Sequence, residues 1–181
     1  ESYTVAEISS FQLETIDEFK PHVSAVLNVT PDHLNRHYTM ENYASVKLDV
    51  CRNQTAEDYI ILNYDDEITK AMAKDKRVQA KVVYFSRLHS LEEGVCLNDG
   101  FIVIREQDTE TKVIALSDLI LLGDHNIENY MAAALAVLGN RPGRRVAVLG
   151  DMLELGDRTQ AEHYRIGRIA AEMADMLLAY G

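Results

Sequence analysis

Short apolar runs alternate along the chain with stretches whose apolar positions recur at helical spacing. Residues 3–8 (YTVAEI) read as a strand, and residues 23–29 (VSAVLNV) as a buried one. Residues 39–52 follow as a helix, with Thr39 placed to cap it and Tyr43, Val46, Lys47 and Val50 on adjoining faces. Residues 59–63 are a strand, 66–74 a short polar helix and 81–85 a further strand. Strand, helix, strand, helix, strand is the order of a parallel α/β sheet with helices over its faces.

The texture changes after residue 90. Segments 94–97 and 101–105 flank Asn98-Asp99-Gly100, a hairpin turn in which glycine supplies a positive φ, and 112–116 reads as a third antiparallel strand. Residues 124–138 form an alanine-rich helix. The breaker cluster at 139–143 (GNRPG) is the clearest boundary in the chain and reads as a linker. Beyond it, a strand at 145–149, a helix over about 159–174 and an apolar terminal run make one βαβ unit within 144–181. Both ends of the chain fall inside strand patterns and read as cuts.

With 181 residues, 47% of them hydrophobic, the chain can bury roughly 70% of its unfolded surface, enough for a true core. Nothing approaches 18 consecutive apolar residues, and the opening Glu-Ser-Tyr is no signal peptide, so a soluble protein with no membrane partner is expected. A net charge of −11 argues against nucleic acid as a partner, though a local basic patch can still take an anionic metabolite. Cys51 and Cys96 make neither a disulfide framework nor a CxxC pair, and the cytoplasm is the simplest compartment.

Candidate chemistry gathers where open α/β sheets place ligands, at the carboxyl ends of strands. Glu7 closes the first strand, Asp32 and His33 follow a Thr30-Pro31 turn after the second, and Lys47 lies on the next helix. Carboxylate, imidazole and lysine near one edge suit a divalent cation and a phosphate, and Glu7, Asp32 and His33 alone could form a metal-hydrolase site. The plainer alternative is a Glu7 cap on a helix at Ser9-Ser10, an exposed His33 and a solvated Lys47. Asn126 and Asn129, three apart at a helix start, share a face and could read an adenine edge; an Asp124 N-cap with exposed amides is the plainer alternative. The loop at 149–156 (LGDMLELG) reads as an ordinary strand-to-helix turn, and His163 as a packed or surface residue. None of the seven lysines follows a glycine, so the chain holds no G-x-x-x-x-G-K-[ST] phosphate loop.

Taken together, residues 7–14 (EISSFQLE), 27–37 (LNVTPDHLNRH), 43–47 (YASVK) and 123–129 (GDHNIEN) resemble the Mur ligase family. The resemblance covers residues 1–138, as the family's central ATP-binding domain, and its SSFQLE wording is closest to the branch that adds D-glutamate. Residues 144–181, with RRVAVLGDMLELG, His163 and Gly167, instead resemble part of the C-terminal domain of the D-alanyl-D-alanine-adding branch.

The resemblance implies a mostly parallel α/β sheet with a small antiparallel region and a partial Rossmann-like tail. It implies an ADP-forming amide ligase of peptidoglycan synthesis, using ATP and Mg²⁺, that activates the carboxylate of UDP-N-acetylmuramoyl-L-alanine as an acyl phosphate for attack by D-glutamate. Glu7 and His33 would ligate magnesium, with Lys47 as a carbamylated further ligand and His33 and Lys47 the catalytic pair. Ser9 and His33 would lie near the muramoyl-alanine end, and Asn126 and Asn129 would contact adenine. Asn35 stands where the family has aspartate. A monomer is expected for the full-length form, with no turnover from this partial chain alone. The alternatives are ligation of D-alanyl-D-alanine, or a remnant that binds nucleotide or muramoyl peptide without catalysis.

Overall fold

The computed structural model describes residues 6–120 and 123–138; the boundary, strand and helix expected beyond residue 138, with the 149–156 loop and His163, lie outside them. One six-stranded sheet runs in the order β1 (Val23–Val26), β2 (Tyr59–Asn63), β3 (Lys81–Ser86), β4 (Gly94–Asn98), β5 (Phe101–Glu106) and β6 (Thr109–Ala115). The first four are mutually parallel, and β5 and β6 turn back antiparallel. The helices are α1 (Ser10–Leu13), α2 (Leu34–His37), α3 (Met40–Leu48), α4 (Glu67–Met72) and α5 (Asp124–Leu138).

The sequence of β2, Tyr-Ile-Ile-Leu-Asn, shows why the sheet lies inside. Ile61 joins Phe85, Val95, Ile102 and the α5 residues Met131, Ala132 and Leu135 in one core. Its neighbours Ile60 and Leu62 point the other way, to Leu13 of α1, Tyr43 and Leu48 of α3, and Met72 of α4. Period-2 alternation with both faces covered makes the strand apolar throughout. Two polar residues inside the sheet are satisfied locally. Ser24 donates to the Gln54 side chain at 3.0 Å, while Gln54 donates to the carbonyls of Pro21 and Tyr59.

Several boundaries move from those expected. Residues 6–9 carry no regular structure, so the described part of the 3–8 segment is not a strand, and Glu7 closes a coil leading into α1. The strand expected over 23–29 stops at Val26, releasing Leu27 to Asp32 to form the edge loop. Thr39 does cap α3, accepting from the Asn42 N–H, but the α-helix ends at Leu48 and tightens into a 3-10 turn over Asp49–Cys51. The outer strand begins three residues early, at Thr109, because Glu106 and Thr109 close a second hairpin in which Gln107 takes φ 53°. The Asn98-Asp99-Gly100 turn forms as read, with positive φ at both Asp99 (46°) and Gly100 (76°). That is the twist-compatible two-residue loop.

One connection is unusual. Parallel strands ordinarily need a crossover of a dozen residues or more, yet β3 reaches β4 through residues 87–93 with no helix between. The overlap explains it: only Phe85↔Val95 and Ser86↔Cys96 pair, so β4 begins where β3 ends and the chain need not return along the sheet. The turn tightens at Gly94, which takes φ 119° with its α-carbon against the carbonyl of Tyr84.

Candidate functional site

The carboxyl edge of the sheet carries two groups of polar side chains. The first lies over β1, where α1, α2 and α3 meet. Ser9 caps α1 through a capping box with Gln12: its backbone N–H donates to Gln12 Oε1 at 2.9 Å, and its Oγ accepts from the Gln12 N–H. The cap is therefore Ser9 and not Glu7, whose side chain is buried. Ser10 Oγ is 2.9 Å from Nε2 of buried His37, whose Nδ1 lies 3.5 Å from Glu14, and Glu14 takes a forked ion pair from Arg36. These contacts hold α1 against α2, a link across 27 residues of chain.

On that support the rings stack inward. Phe11 packs on His33 with centroids 4.8 Å apart and on His37 at 5.7 Å. Tyr43 meets His33 edge-on at 6.4 Å and His37 at 5.2 Å, and Lys47 Nζ stands over the Tyr43 ring at 5.1 Å. Tyr43 thus joins His33 to Lys47. Neither matches the plainer expectation fully: the His33 side chain is 38% exposed and Lys47 is half-buried.

The backbone here is strained. His33 sits in the left-handed region (φ 52°, ψ 25°), its N–H donating to the Asp32 carboxylate at 2.7 Å. At the other end of α2, Tyr38 takes φ 66° in a three-residue turn closed by Thr39 N–H on the His37 carbonyl. Such conformations cost of order 1–3 kcal/mol each and gather at functional sites. Among the described residues no three His, Cys, Asp or Glu side chains form a ready metal cage, so Glu7, Asp32 and His33 are not assembled as the hydrolase reading requires.

The second group joins β2, β3 and α5. The Asp65 carboxylate accepts from Ser86 Oγ (2.5 Å), the N–H groups of Arg87 (2.7 Å) and Leu88 (3.1 Å), and His89 Nδ1 (2.8 Å). Burial pushes its pKa up, but the hydrogen bonds from Ser86, His89 and the two backbone N–H groups outweigh it and hold the carboxyl below its ordinary range. A depressed native pKa gives stability that is complete above the unfolded-state value of about 3.9 and is lost as pH falls through the native one. Thermal denaturation should therefore show a melting temperature that falls as pH drops below about 4. Asp65→Asn should melt lower at pH 7 and with a shallower slope across that window; an unchanged slope would remove Asp65 from the account.

Arg87 reaches from this turn to α5, with Nη2 3.2 Å from Asp124 and Nε 3.5 Å from Glu128. Asp124 is the first residue of the helix rather than its cap, and its carboxylate faces Arg87. Burial raises the Glu128 carboxyl above its usual range, and Arg87 opposes the rise. Asn126 and Asn129 are half-buried on the same helix, which packs on the sheet face opposite α3. The sequence reading missed Asp65, Arg87, Phe11 and His37. The signals were faint: an Asp and an Arg just past strand ends, and an aromatic beside the capping box.

Residues 1–137 match the family model of the Mur ligase middle domain. The chain belongs to the Mur ligase family. The Mur ligase match spans all but the last described residue, both sheet faces and both polar groups included. Curated relatives agree. UDP-N-acetylmuramoylalanine–D-glutamate ligase of Clostridioides difficile (strain 630) is 53% identical over 133 residues, 74% of this chain and 29% of that protein. The ligases of the same name from Lachnoclostridium phytofermentans and Alkaliphilus oremlandii are 48% and 49% identical, again over 74% of this chain and 29% of theirs. The chain therefore spans under a third of the length of these relatives. A crystal structure of MurF from Acinetobacter baumannii aligns with a TM-score of 0.46 and 18% identity, over 87% of this chain and 46% of that one. No described helix is long and apolar enough to cross a membrane.

Proposed function

We propose that the chain is the central part of a cytoplasmic, ATP-dependent ligase that joins D-glutamate to UDP-N-acetylmuramoyl-L-alanine in peptidoglycan precursor synthesis. The observation that carries this reading is identity of about half across 133 residues to relatives that bear this name. Residues 1–138 are the central domain in this reading, 139–143 a linker and 144–181 part of a C-terminal domain. In the full-length form the protein acts as a monomer.

The residues suit the groups this reading requires. A buried carboxylate (Glu7), an imidazole on a strained loop (His33) and a half-buried amine (Lys47) offer the oxygen and nitrogen donors that can hold Mg²⁺. Lys47 joins that set once its neutral Nζ adds carbon dioxide, forming an N–C bond, releasing a proton and leaving an anionic oxygen donor where a cation stood. ATP and Mg²⁺ supply the phosphoryl group that activates the substrate carboxylate and the charge that screens it. Asn126 and Asn129 each present a donor and an acceptor, the pair an adenine edge needs. Ser9 stays bound in its capping box, so its contribution at the muramoyl end is to fix α1 beside His33.

The phosphate cradle has no counterpart in these 181 residues, and positioning of the phosphates supplies much of the catalysis in such sites. The chain alone is expected to release no ADP above a Lys47→Ala control. Grafted in place of the matching segment of the Clostridioides difficile ligase, residues 1–137 should support ADP release that depends on D-glutamate. A graft that folds but turns over only with D-alanyl-D-alanine would overturn the assignment of the amino acid. A graft that folds and never turns over would favour the binding remnant.

A further inference from the structure

The 87–93 segment crosses between two parallel strands without a helix, and its entry is fixed by Asp65, which takes four hydrogen bonds from Ser86, Arg87, Leu88 and His89. The neighbouring Asp66 caps α4 and lies 3.4 Å from the Val29 N–H, so the same corner is tied back to the loop that carries His33. What this anchored turn delivers is the Arg87 guanidinium, set against two carboxylates one helical turn apart, Asp124 and Glu128. The pair with Glu128 is the tighter in consequence, because the Glu128 side chain is only 15% exposed and water screens it little.

At about 100° per residue, Asn126 lies about 200° round the helix from Asp124, and Asn129 about 140°. The asparagines therefore occupy a different side of α5 from the acids that Arg87 holds. The core packing of Met131, Ala132 and Leu135 seats the body of the helix, and a contact at its first turn adds a constraint on the rotation and tilt of the end that carries the asparagines. We propose that Arg87, held by Asp65, is the positioning residue of the adenine subsite: by gripping Asp124 and Glu128 it aims Asn126 and Asn129. This rests on the reading of the two asparagines as adenine contacts.

The test is a titration of the isotopically labelled 181-residue chain with adenosine, following the side-chain amide signals of Asn126 and Asn129, with melting temperature measured in parallel. Arg87→Ala should weaken adenosine by about 3- to 30-fold, with Glu128→Gln, which keeps the shape and loses the charge, moving the same way. The swap of Arg87→Glu with Glu128→Arg should recover affinity to within about threefold of the parent. Unchanged adenosine affinity in Arg87→Ala and Glu128→Gln would overturn the positioning role. So would a swap that restores the melting temperature but not the affinity, since that is what a purely structural ion pair gives. Asn126→Ala separates the two readings. If it binds adenosine as well as the parent, or if the parent gives no shift at all, the adenine subsite falls and the role of Arg87 with it. If Asn126→Ala weakens binding and the Arg87 and Glu128 variants do not, only the positioning role falls.

Discussion

Lys47→Ala, placed in the grafted ligase, is expected to lower kcat by about 10²- to 10³-fold or more, with little change in KM for D-glutamate. Lys47 lies in the last turn of α3, half-buried, with its ammonium over the ring of Tyr43, which in turn touches His33. Removing the side chain deletes the charged group over Tyr43 and leaves the α3 packing of Tyr43 and Leu48 in place. Lys47→Arg discriminates between two chemistries. Arginine retains the positive charge and the stacking over Tyr43 but offers no amine to become a carbamate. If Lys47 serves as an anionic oxygen donor, the arginine variant is as slow as the alanine one. Near-parental rates for Lys47→Arg would instead make the residue a cation that neutralises phosphate, and the carbamate would have to be abandoned.

Gly94→Ala should be the most damaging single methyl in the described body, costing of order 3 kcal/mol or more and leaving the chain largely insoluble. Two costs coincide there. The backbone holds φ 119°, outside the regions open to residues with a β-carbon, and an added Cβ would collide with the Tyr84 carbonyl oxygen and press on Leu91. The obstacle is main chain, so no rotamer change relieves it. Gly100→Ala is the matched control: φ is again positive, at 76°, but no atom lies within 4 Å of the new methyl. That variant should lose only about 1 kcal/mol in urea denaturation. Equal losses for the two would mean that backbone strain alone matters and that β3 and β4 could separate at their junction.

Both outcomes bear on how far the sequence could be read. Strands whose apolar runs are bounded by polar turns were legible, and Tyr59–Asn63 and the helix Asp124–Leu138 stand where the pattern places them. The mostly parallel α/β sheet with its antiparallel extension was legible too, because Asn-Asp-Gly prescribes a hairpin. Four-residue helices such as α1 and α2 are too short to show a period, although the Ser-x-x-Gln of the capping box was there to be seen. The short β3–β4 passage could not be anticipated, since it depends on a two-pair overlap that no local pattern encodes. In the same way His33, Lys47, Asn126 and Asn129 came from motifs. Arg87 did not, because its partner Glu128 lies 41 residues away and only tertiary structure brings the two together.

The strictly sequential order of the six strands carries a consequence for the way the chain matures. Every strand after the first pairs with the one just before it, and the widest gap bridged runs from Val23 to Tyr59. Closure entropy grows only slowly with loop length, so a sequential order keeps each pairing step confined to neighbouring elements. On a ribosome each strand from β2 onward could dock on a neighbour that had already left the exit tunnel. The final described piece, α5, then seals the face formed by Ile61, Phe85 and Val95, and it alone brings Asn126 and Asn129. Vectorial synthesis would thus complete the sheet first and add α5 last, so that a chain stalled before residue 124 carries an exposed apolar face and neither asparagine.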